Sequence, residues 1–148
     1  MSLKERITED MKSAMRARDA QRLGAIRLLL AAIKQREVDE RVDVDDASAL
    51  SIVEKLIKQR KDSIDQFEKA GRMDLVDKEK AELVILSSYL PKQMSDVELA
   101  AAIDAAIADS GATGAQEMGK AMAILKPRIA GRADMGKASA LVKQRLTT

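Results

Sequence analysis

The chain of 148 residues contains no histidine and no cysteine. Without cysteine it cannot form disulfides, thiolate nucleophiles or cysteine-ligated metal sites. Without histidine it lacks the commonest general base and the commonest metal ligand. Any catalytic site would have to use carboxylates, lysine, tyrosine, serine or threonine. The sequence therefore argues against a self-contained catalytic site, and we expect no cofactor and no metal.

Aromatic residues are almost absent, since Phe67 and Tyr89 are the only two and tryptophan is missing. A core built from leucine, isoleucine, valine, alanine and eight methionines suits packed helices better than sheets. Proteins that read single-stranded RNA stack bases on aromatic side chains. Both aromatic residues here are expected at core or boundary positions. If RNA is a partner, recognition should therefore use phosphates and 2′-hydroxyls of a folded, double-helical shape.

Long apolar runs are missing as well. No stretch of about 18 apolar residues exists, so we expect no contact with a membrane. The amino-terminal sequence MSLKERITED is too polar for a signal peptide. These absences predict a cytoplasmic protein. The formal net charge is only +2, so nucleic-acid contacts would have to come from local clusters of basic residues.

Apolar residues at helical spacing predict an all-α fold of seven helices. Ser2 and Glu5 form a capping-box pattern at the first helix, Gly71 ends the third, and Pro91 ends the fourth. After residues 91–94 the composition shifts to alanine and other small residues. We therefore expect an amino-terminal domain of about four helices over residues 1–91 and a three-helix domain over residues 95–148.

Several local features of the second domain lead to further expectations. Thr113 and Gln116 are candidate caps for the sixth helix, and Asp134 for the seventh. Gly119 lies inside the sixth helix, where glycine costs about 1 kcal/mol relative to alanine. That cost predicts a close approach of another backbone to Gly119.

Two carboxylate pairs have the spacing that places both members on one helix face. They are Glu79 with Glu82, and Asp62 with Asp65. Each pair has the oxygen ligands that Mg²⁺ prefers. Because lysines are interleaved with both pairs, we favour the alternative interpretation of solvated helix faces.

Arg60 lies close to the line of apolar residues on the third helix, so part of its side chain should be buried and its guanidinium should need a partner. It either holds a ligand or clamps its helix to a neighbouring helix. We favour the structural clamp.

A basic set in the last third of the chain is the strongest binding candidate. It comprises Lys120, Lys126, Arg128, Gly131, Arg132 and Lys137. Arg132, Lys137 and the free N–H groups of the helix that starts between them have the chemistry to bind a phosphate. Solubilising charge on a small-residue bundle is an equally good interpretation, and the residues alone leave both open.

Three segments carry a family resemblance. They are MKSAMRARDAQRLGAIRLLLAAIKQREVD, KQRKDSIDQFEKAGRMDLVDKEKAELVILSSYLPKQMSDVEL and MGKAMAILKPRIAGRADMGKASALVKQRL. In this order they resemble the YqeY family over nearly the whole chain. The part from about Met94 is also similar to the tail of the B subunit of the glutamine-dependent aspartyl/glutamyl-tRNA amidotransferase. The glycine-rich turn of that tail, G-[RK]-A-[ND], is matched here by Gly131-Arg132-Ala133-Asp134.

The resemblance implies a helical amino-terminal domain followed by a three-helix tail domain. It also implies an association with transamidation of misacylated tRNA. In the amidotransferase the tail helps to recognise the tRNA body, and a separate domain, without counterpart in this sequence, performs the ATP-dependent chemistry. We therefore expect a non-catalytic tRNA-binding or accessory protein. Its expected partners are tRNA, aminoacyl-tRNA synthetases or amidotransferase subunits.

Two alternatives remain open. The first is a protein-interaction module without RNA contact, suggested by the near-neutral charge and the long helices of the first domain. The second is a carbon–nitrogen ligase activity with glutamine as amide donor, which follows only by transfer from the larger enzyme.

Overall fold

The structure, a computed structural model, describes residues 1–147. These residues form α1 (Leu3–Ala17), α2 (Ala20–Glu40), α3 (Asp46–Lys69), α4 (Met73–Ser87), α5 (Asp96–Ser110), α6 (Met118–Ile129) and α7 (Met135–Thr147), with a 3₁₀ turn at Ala115–Glu117. No strand occurs among the described residues. The predicted all-α class is confirmed.

The helices form two compact units, one from Met1 to Leu90 with α1–α4 and one from Pro91 onward with α5–α7. Each unit has its own core. The first buries mainly isoleucine, leucine and valine, including Ile26, Leu29 and Val53. The second packs a smaller core in which alanine is frequent, including Ile103, Ala121 and Leu125.

Local sequence signals explain most helix ends. The Ser2 hydroxyl accepts the Glu5 backbone N–H at 3.1 Å, and the Ser2 N–H donates to the Glu5 carboxylate at 3.0 Å. This confirms the predicted capping box. Arg18 ends α1 in the left-handed region with a φ of 56°, and Gly71, with a φ of 71°, follows the end of α3. The left-handed conformation at Gly71 favours glycine because glycine has no Cβ.

The predicted cap of α6 is wrong. Helix α6 starts at Met118, and its N-cap Glu117 makes no side-chain capping hydrogen bond. The Thr113 hydroxyl instead donates to the Glu117 carboxylate at 2.8 Å. The reason is the 3₁₀ turn Ala115–Glu117, which separates Thr113 from the first turn of the helix and takes up Gln116.

The predicted close approach at Gly119 is also wrong. Gly119 is exposed, and a Cβ placed on it would meet no atom within 4 Å. Neither packing nor backbone conformation of the described residues requires glycine here.

Tyr89 anchors the end of the first unit to α1. It is 4% exposed, and its hydroxyl donates to Asp10 at 2.7 Å. Burial and the neighbouring Asp10 carboxylate raise the pKa of the Tyr89 phenol. The Arg6 guanidinium lies 5.1 Å from the centre of the Tyr89 ring. The hydroxyl and one ring face are thus engaged within the unit, which agrees with the predicted core or boundary position.

Arg60 joins α3 to α4. Its Nε lies 2.9 Å from the Glu82 carboxylate and 3.2 Å from the Glu79 carboxylate. The N–H direction aligns with neither oxygen, so Arg60 Nε and Glu79 Oε2 are buried without a hydrogen-bond partner among the described residues. The contact is therefore one of charge with charge rather than an aligned hydrogen bond. This arrangement is the interhelical clamp that the sequence favours.

The interpretation of Glu79 and Glu82 as a solvated helix face is wrong. Glu82 is 8% exposed and is the one buried charged residue of the described chain. Both carboxylates lie against Arg60. Asp62 and Asp65, by contrast, are exposed as expected.

Arg60→Met should weaken the first unit. The substitution removes the cation and leaves two carboxylates close together in a largely buried position. We expect the free energy of unfolding to fall by about 3 kcal/mol. Urea denaturation followed by circular dichroism measures this loss.

Lys61→Met, at an exposed neighbouring position on α3, is the matched control. It should change the stability by less than about 0.5 kcal/mol. Replacing Glu79 and Glu82 by glutamine in the Arg60→Met background should recover more than half of the loss, because no unpaired charge then remains. Equal effects of Arg60→Met and Lys61→Met would show that the clamp contributes nothing.

Gly119→Ala and Gly131→Ala should have opposite effects on the second unit. Alanine fits the open space at Gly119. Because alanine also restricts the unfolded chain, we expect Gly119→Ala to stabilise the unit by about 0.4–1 kcal/mol. Gly131 has a φ of 71°. Since a Cβ is strained in this left-handed conformation, Gly131→Ala should destabilise the unit by about 1 kcal/mol.

Thermal unfolding of both variants checks the two signs. A destabilised Gly119→Ala would contradict the open surroundings of Gly119.

Candidate nucleic-acid interface

The second unit separates its charges by helix. Helix α5 carries four acidic residues and no basic one, whereas the chain from Met118 onward carries seven basic residues and one acidic residue. The first unit is balanced, with 18 basic and 18 acidic residues. The whole net positive charge of the chain therefore belongs to the second unit, and within it to α6, α7 and the turn between them.

Ion pairs connect the basic residues to α5. Lys137 lies 2.6 Å from Asp96, Arg128 lies 2.7 Å from Asp109, and the Arg132 guanidinium lies 3.5 Å from Glu98. Arg145 and Asp104 form a further pair. Each carboxylate of α5 thus holds a cation from α6, α7 or the turn between them.

These pairs lie at the surface. The side chains of Lys137 and Asp96 are 53% and 86% exposed. The hydrogen bond from Lys137 lowers the pKa of the Asp96 carboxyl. Exposed ion pairs of this kind contribute little to stability. An incoming phosphate can therefore replace a carboxylate of α5 at little energetic cost.

The turn Gly131-Arg132 is bound to the segment that follows the first unit. The Gln93 side-chain amide donates to the Gly131 carbonyl at 2.7 Å, and the Met94 N–H donates to the Arg132 carbonyl at 2.8 Å. Arg132 Nε in turn donates to the Lys92 carbonyl at 3.0 Å. Residues 92–94 are thus part of the second unit's structure rather than a free connection.

Arg132 consequently has a structural role as well as a charge. Its Nε donates to the Lys92 carbonyl, and one of its terminal nitrogens lies 3.5 Å from the Glu98 carboxylate. Gly131 is buried and its left-handed backbone shapes the same turn. A substitution at Arg132 will disturb this turn whether or not a ligand binds there.

The rest of the basic set is spread out. Arg132 and Lys137 meet the first turn of α5, whereas Arg128 meets its last turn. A helix of this length separates its two ends by about 20 Å. Lys120 pairs with Glu117 at 3.0 Å. Lys126 is exposed and forms no ion pair within residues 1–147.

Arg60, the remaining candidate from the sequence, lies on α3 in the first unit. Its partners are Glu79 and Glu82, so it does not belong to the basic set.

The α5 carboxylates are the residues that sequence reasoning missed, namely Asp96, Glu98, Asp104 and Asp109. Their signal was present in the sequence as a helix with acidic residues only, followed by two helices with basic residues only. Opposite charges on neighbouring helices of a small bundle predict interhelical pairs.

Residues 1–147 contain neither a candidate membrane span nor a candidate metal cluster. None of the helices is both long and apolar enough to cross a membrane. Within residues 1–147 no group of three or more acidic side chains is placed to hold a metal ion.

The chain is similar to curated proteins named "Altered inheritance of mitochondria protein 41, mitochondrial". The protein from Eremothecium gossypii is 45% identical over 103 residues, which is 67% of this chain and 56% of that protein. The protein from Lachancea thermotolerans is 44% identical over 85 residues, 57% of this chain and 46% of that protein. The Saccharomyces cerevisiae protein is 41% identical over 91 residues, covering 61% and 49%. The chain spans about half the length of these relatives.

The expected cytoplasmic location is contradicted by these relatives, because they are named as mitochondrial proteins. The expectation rested on the absence of a signal peptide and of apolar runs, and neither absence distinguishes the cytosol from the interior of an organelle.

The profile of the family described as "Yqey-like protein" matches residues 4–146, almost the complete chain. The match includes the Arg60 clamp, the α5 carboxylates and the Gly131-Arg132 turn. The chain belongs to the YqeY family.

Proposed function

We propose that the chain is a non-catalytic tRNA-binding accessory protein linked to glutamine-dependent transamidation of misacylated tRNA. The second unit contacts the phosphates of a folded tRNA through the basic residues of α6, α7 and the turn between them. Support comes from the similarity of this part to the amidotransferase tail and from the charge distribution of the unit.

The observation that carries the proposal is the ratio of seven basic residues to one acidic residue from Met118 onward. Packing needs no such excess, because the cores of both units are apolar. Lys126 is exposed and without an ion pair in the described chain, so a phosphate could bind it without first displacing a carboxylate. Lys137 and Arg128 need only exchange a carboxylate for a phosphate oxygen.

The mode of binding follows from the lack of exposed aromatic rings. Tyr89 is buried, and Phe67 is partly buried on α3. Base stacking is therefore not available, and recognition of shape and backbone is what the basic side chains can provide.

Binding of folded tRNA in a filter assay at two salt concentrations tests the proposal. Three or four phosphate contacts should give a log–log slope of the association constant against salt of about −3. Lys126→Glu should weaken binding about tenfold, since it replaces a phosphate contact by repulsion. Lys126 makes no ion pair within the described chain, so this variant leaves the α5 pairs intact.

Lys61→Glu, an exposed charge reversal in the first unit, is the control and should leave binding unchanged. Arg132→Glu should also weaken binding. Because it also breaks the hydrogen bond to the Lys92 carbonyl, its effect must be compared with that of Lys126→Glu. No binding at about 50 mM salt with an intact circular dichroism spectrum would overturn the proposal. Binding that Lys126→Glu and Arg132→Glu both leave unchanged would show that the site is elsewhere.

A protein-interaction role without RNA is the second candidate. The observation in its favour is that Arg128, Arg132 and Lys137 already have carboxylate partners on α5. Recovery of synthetase or amidotransferase subunits with the chain after nuclease treatment, together with absent tRNA binding, would favour this candidate. Turnover of glutamine and ATP by the purified chain alone would instead favour the ligase alternative.

A further inference from the structure

Helix α2 has a mostly apolar face that the first unit does not cover. Its core face buries Ala25, Ile26, Leu29 and Ile33. On the opposite face Gly24, Leu28, Ala31, Gln35 and Val38 follow one another in steps of four and three residues, and all five are exposed. We call these five residues the α2 seam. Its spacing is that of the contact line of a helix packed against a second helix.

Nothing among the described residues requires glycine at position 24. It lies inside α2. Glycine in a helix interior costs about 1 kcal/mol relative to alanine. A Cβ on Gly24 would meet no atom within 4 Å, and its backbone is ordinary helix. Leu28 is 48% exposed and Val38 is 60% exposed in the same line. Small residues at Gly24 and Ala31 leave room for large apolar side chains of an approaching helix.

Basic side chains follow one edge of the α2 seam. Arg27, Lys34 and Arg41 recur every seven residues beside it. Within the described chain Arg27 and Lys34 form no ion pair, whereas Arg22 and Arg36 on the same helix are paired with Asp10 and Glu40. Arg27 and Lys34, both beside the seam, are thus not held by an internal ion pair.

The α2 seam ends in a cavity of about 320 Å³, lined by Lys34, Glu37, Val38, Arg41, Val42 and Asp43. Val42 is 50% exposed and extends the apolar line beyond the end of the helix. Of the two acidic residues in this lining, Glu37 already pairs with Lys4 at 2.5 Å. The cavity is therefore lined by two cations, Lys34 and Arg41, and by one carboxylate outside an ion pair, Asp43. A partner that places an apolar side chain, followed by an acidic one, in this cavity would match its lining.

We infer that the α2 seam binds an amphipathic helix of another protein, with large aliphatic residues along its contact line and acidic residues along the edge that faces Arg27 and Lys34. The inference concerns the first unit and does not depend on tRNA binding by the second.

A second copy of the chain is the less suitable occupant. In an antiparallel pair of α2 helices the Arg27–Lys34 edges would face each other, and like charges repel. In a parallel pair the only opposite charges facing each other would be Lys34 of one copy and Asp39 of the other. Asp39 already accepts a hydrogen bond from Gln35 at 2.8 Å. An acidic edge on a different protein satisfies both cations.

The test uses the full chain and a dye-labelled synthetic peptide of about three heptads, with leucine along the contact line and glutamate on both edges. A twin peptide carries lysine at the edge positions. Fluorescence anisotropy should show binding of the glutamate peptide and at least about tenfold weaker binding of the lysine twin. Arg27→Glu combined with Lys34→Glu should reverse this preference.

Leu28→Glu should abolish binding, and Gly24→Ala should weaken it while raising the thermal stability of the chain. Lys61→Glu is the charge control and should leave binding unchanged. Absent binding of the glutamate peptide, or equal binding of both peptides, would overturn the inference. Two other results would do so as well: concentration-dependent dimerisation that Leu28→Glu abolishes, and binding to phosphatidylserine vesicles that the same substitution abolishes. tRNA binding is measured in parallel and should be the same for Leu28→Glu as for the unchanged chain.

Discussion

Ion pairs between the acidic helix α5 and the basic helices α6 and α7 determine what the second unit can do. Asp96, Glu98 and Asp109 hold Lys137, Arg132 and Arg128 at the surface. Were these pairs strong, the cations would be structural and unavailable to a ligand. They are exposed, however, and exposed pairs contribute little to stability. Under the proposed tRNA binding, the same carboxylates would hold the cations in the free protein and give way to phosphates in the complex.

The two units illustrate opposite uses of charge. In the first unit Arg60 lies between Glu79 and Glu82 in a largely buried position, where loss of one partner is costly. In the second unit the pairs with α5 are solvent-exposed. Arg27 and Lys34 of the first unit, which form no ion pair within the described chain, lie beside the α2 seam.

Much of this architecture could be predicted from the sequence, because helix signals are local. The capping box at Ser2 and the glycine after α3 each act within a few residues. The side chains that meet across helices could not be predicted as well. Glu79 and Glu82 have lysine neighbours in sequence, and only the packing of α3 on α4 shows that they face Arg60 instead.

The glycines also show which features the sequence alone could not predict. A glycine in or next to a helix indicates a cost in stability, but the sequence does not show which structural feature requires the glycine. Among the described residues no atom lies within 4 Å of a Cβ placed on Gly119, whereas at Gly131 the left-handed backbone is the cause. The basic set was likewise visible in the sequence, whereas its distribution over both ends of α5 required the positions of Asp96 and Asp109.

The pKa of the Asp96 carboxyl, measured by nuclear magnetic resonance without and with folded tRNA, tests the central claim most directly. In the free chain the hydrogen bond from Lys137 should hold this pKa below the ordinary value of an aspartate. If a phosphate takes over Lys137, the pKa should rise to that ordinary value or above it when tRNA is bound. A pKa that stays equally low in the complex would show that Lys137 remains with Asp96, and would contradict the exchange of carboxylate for phosphate.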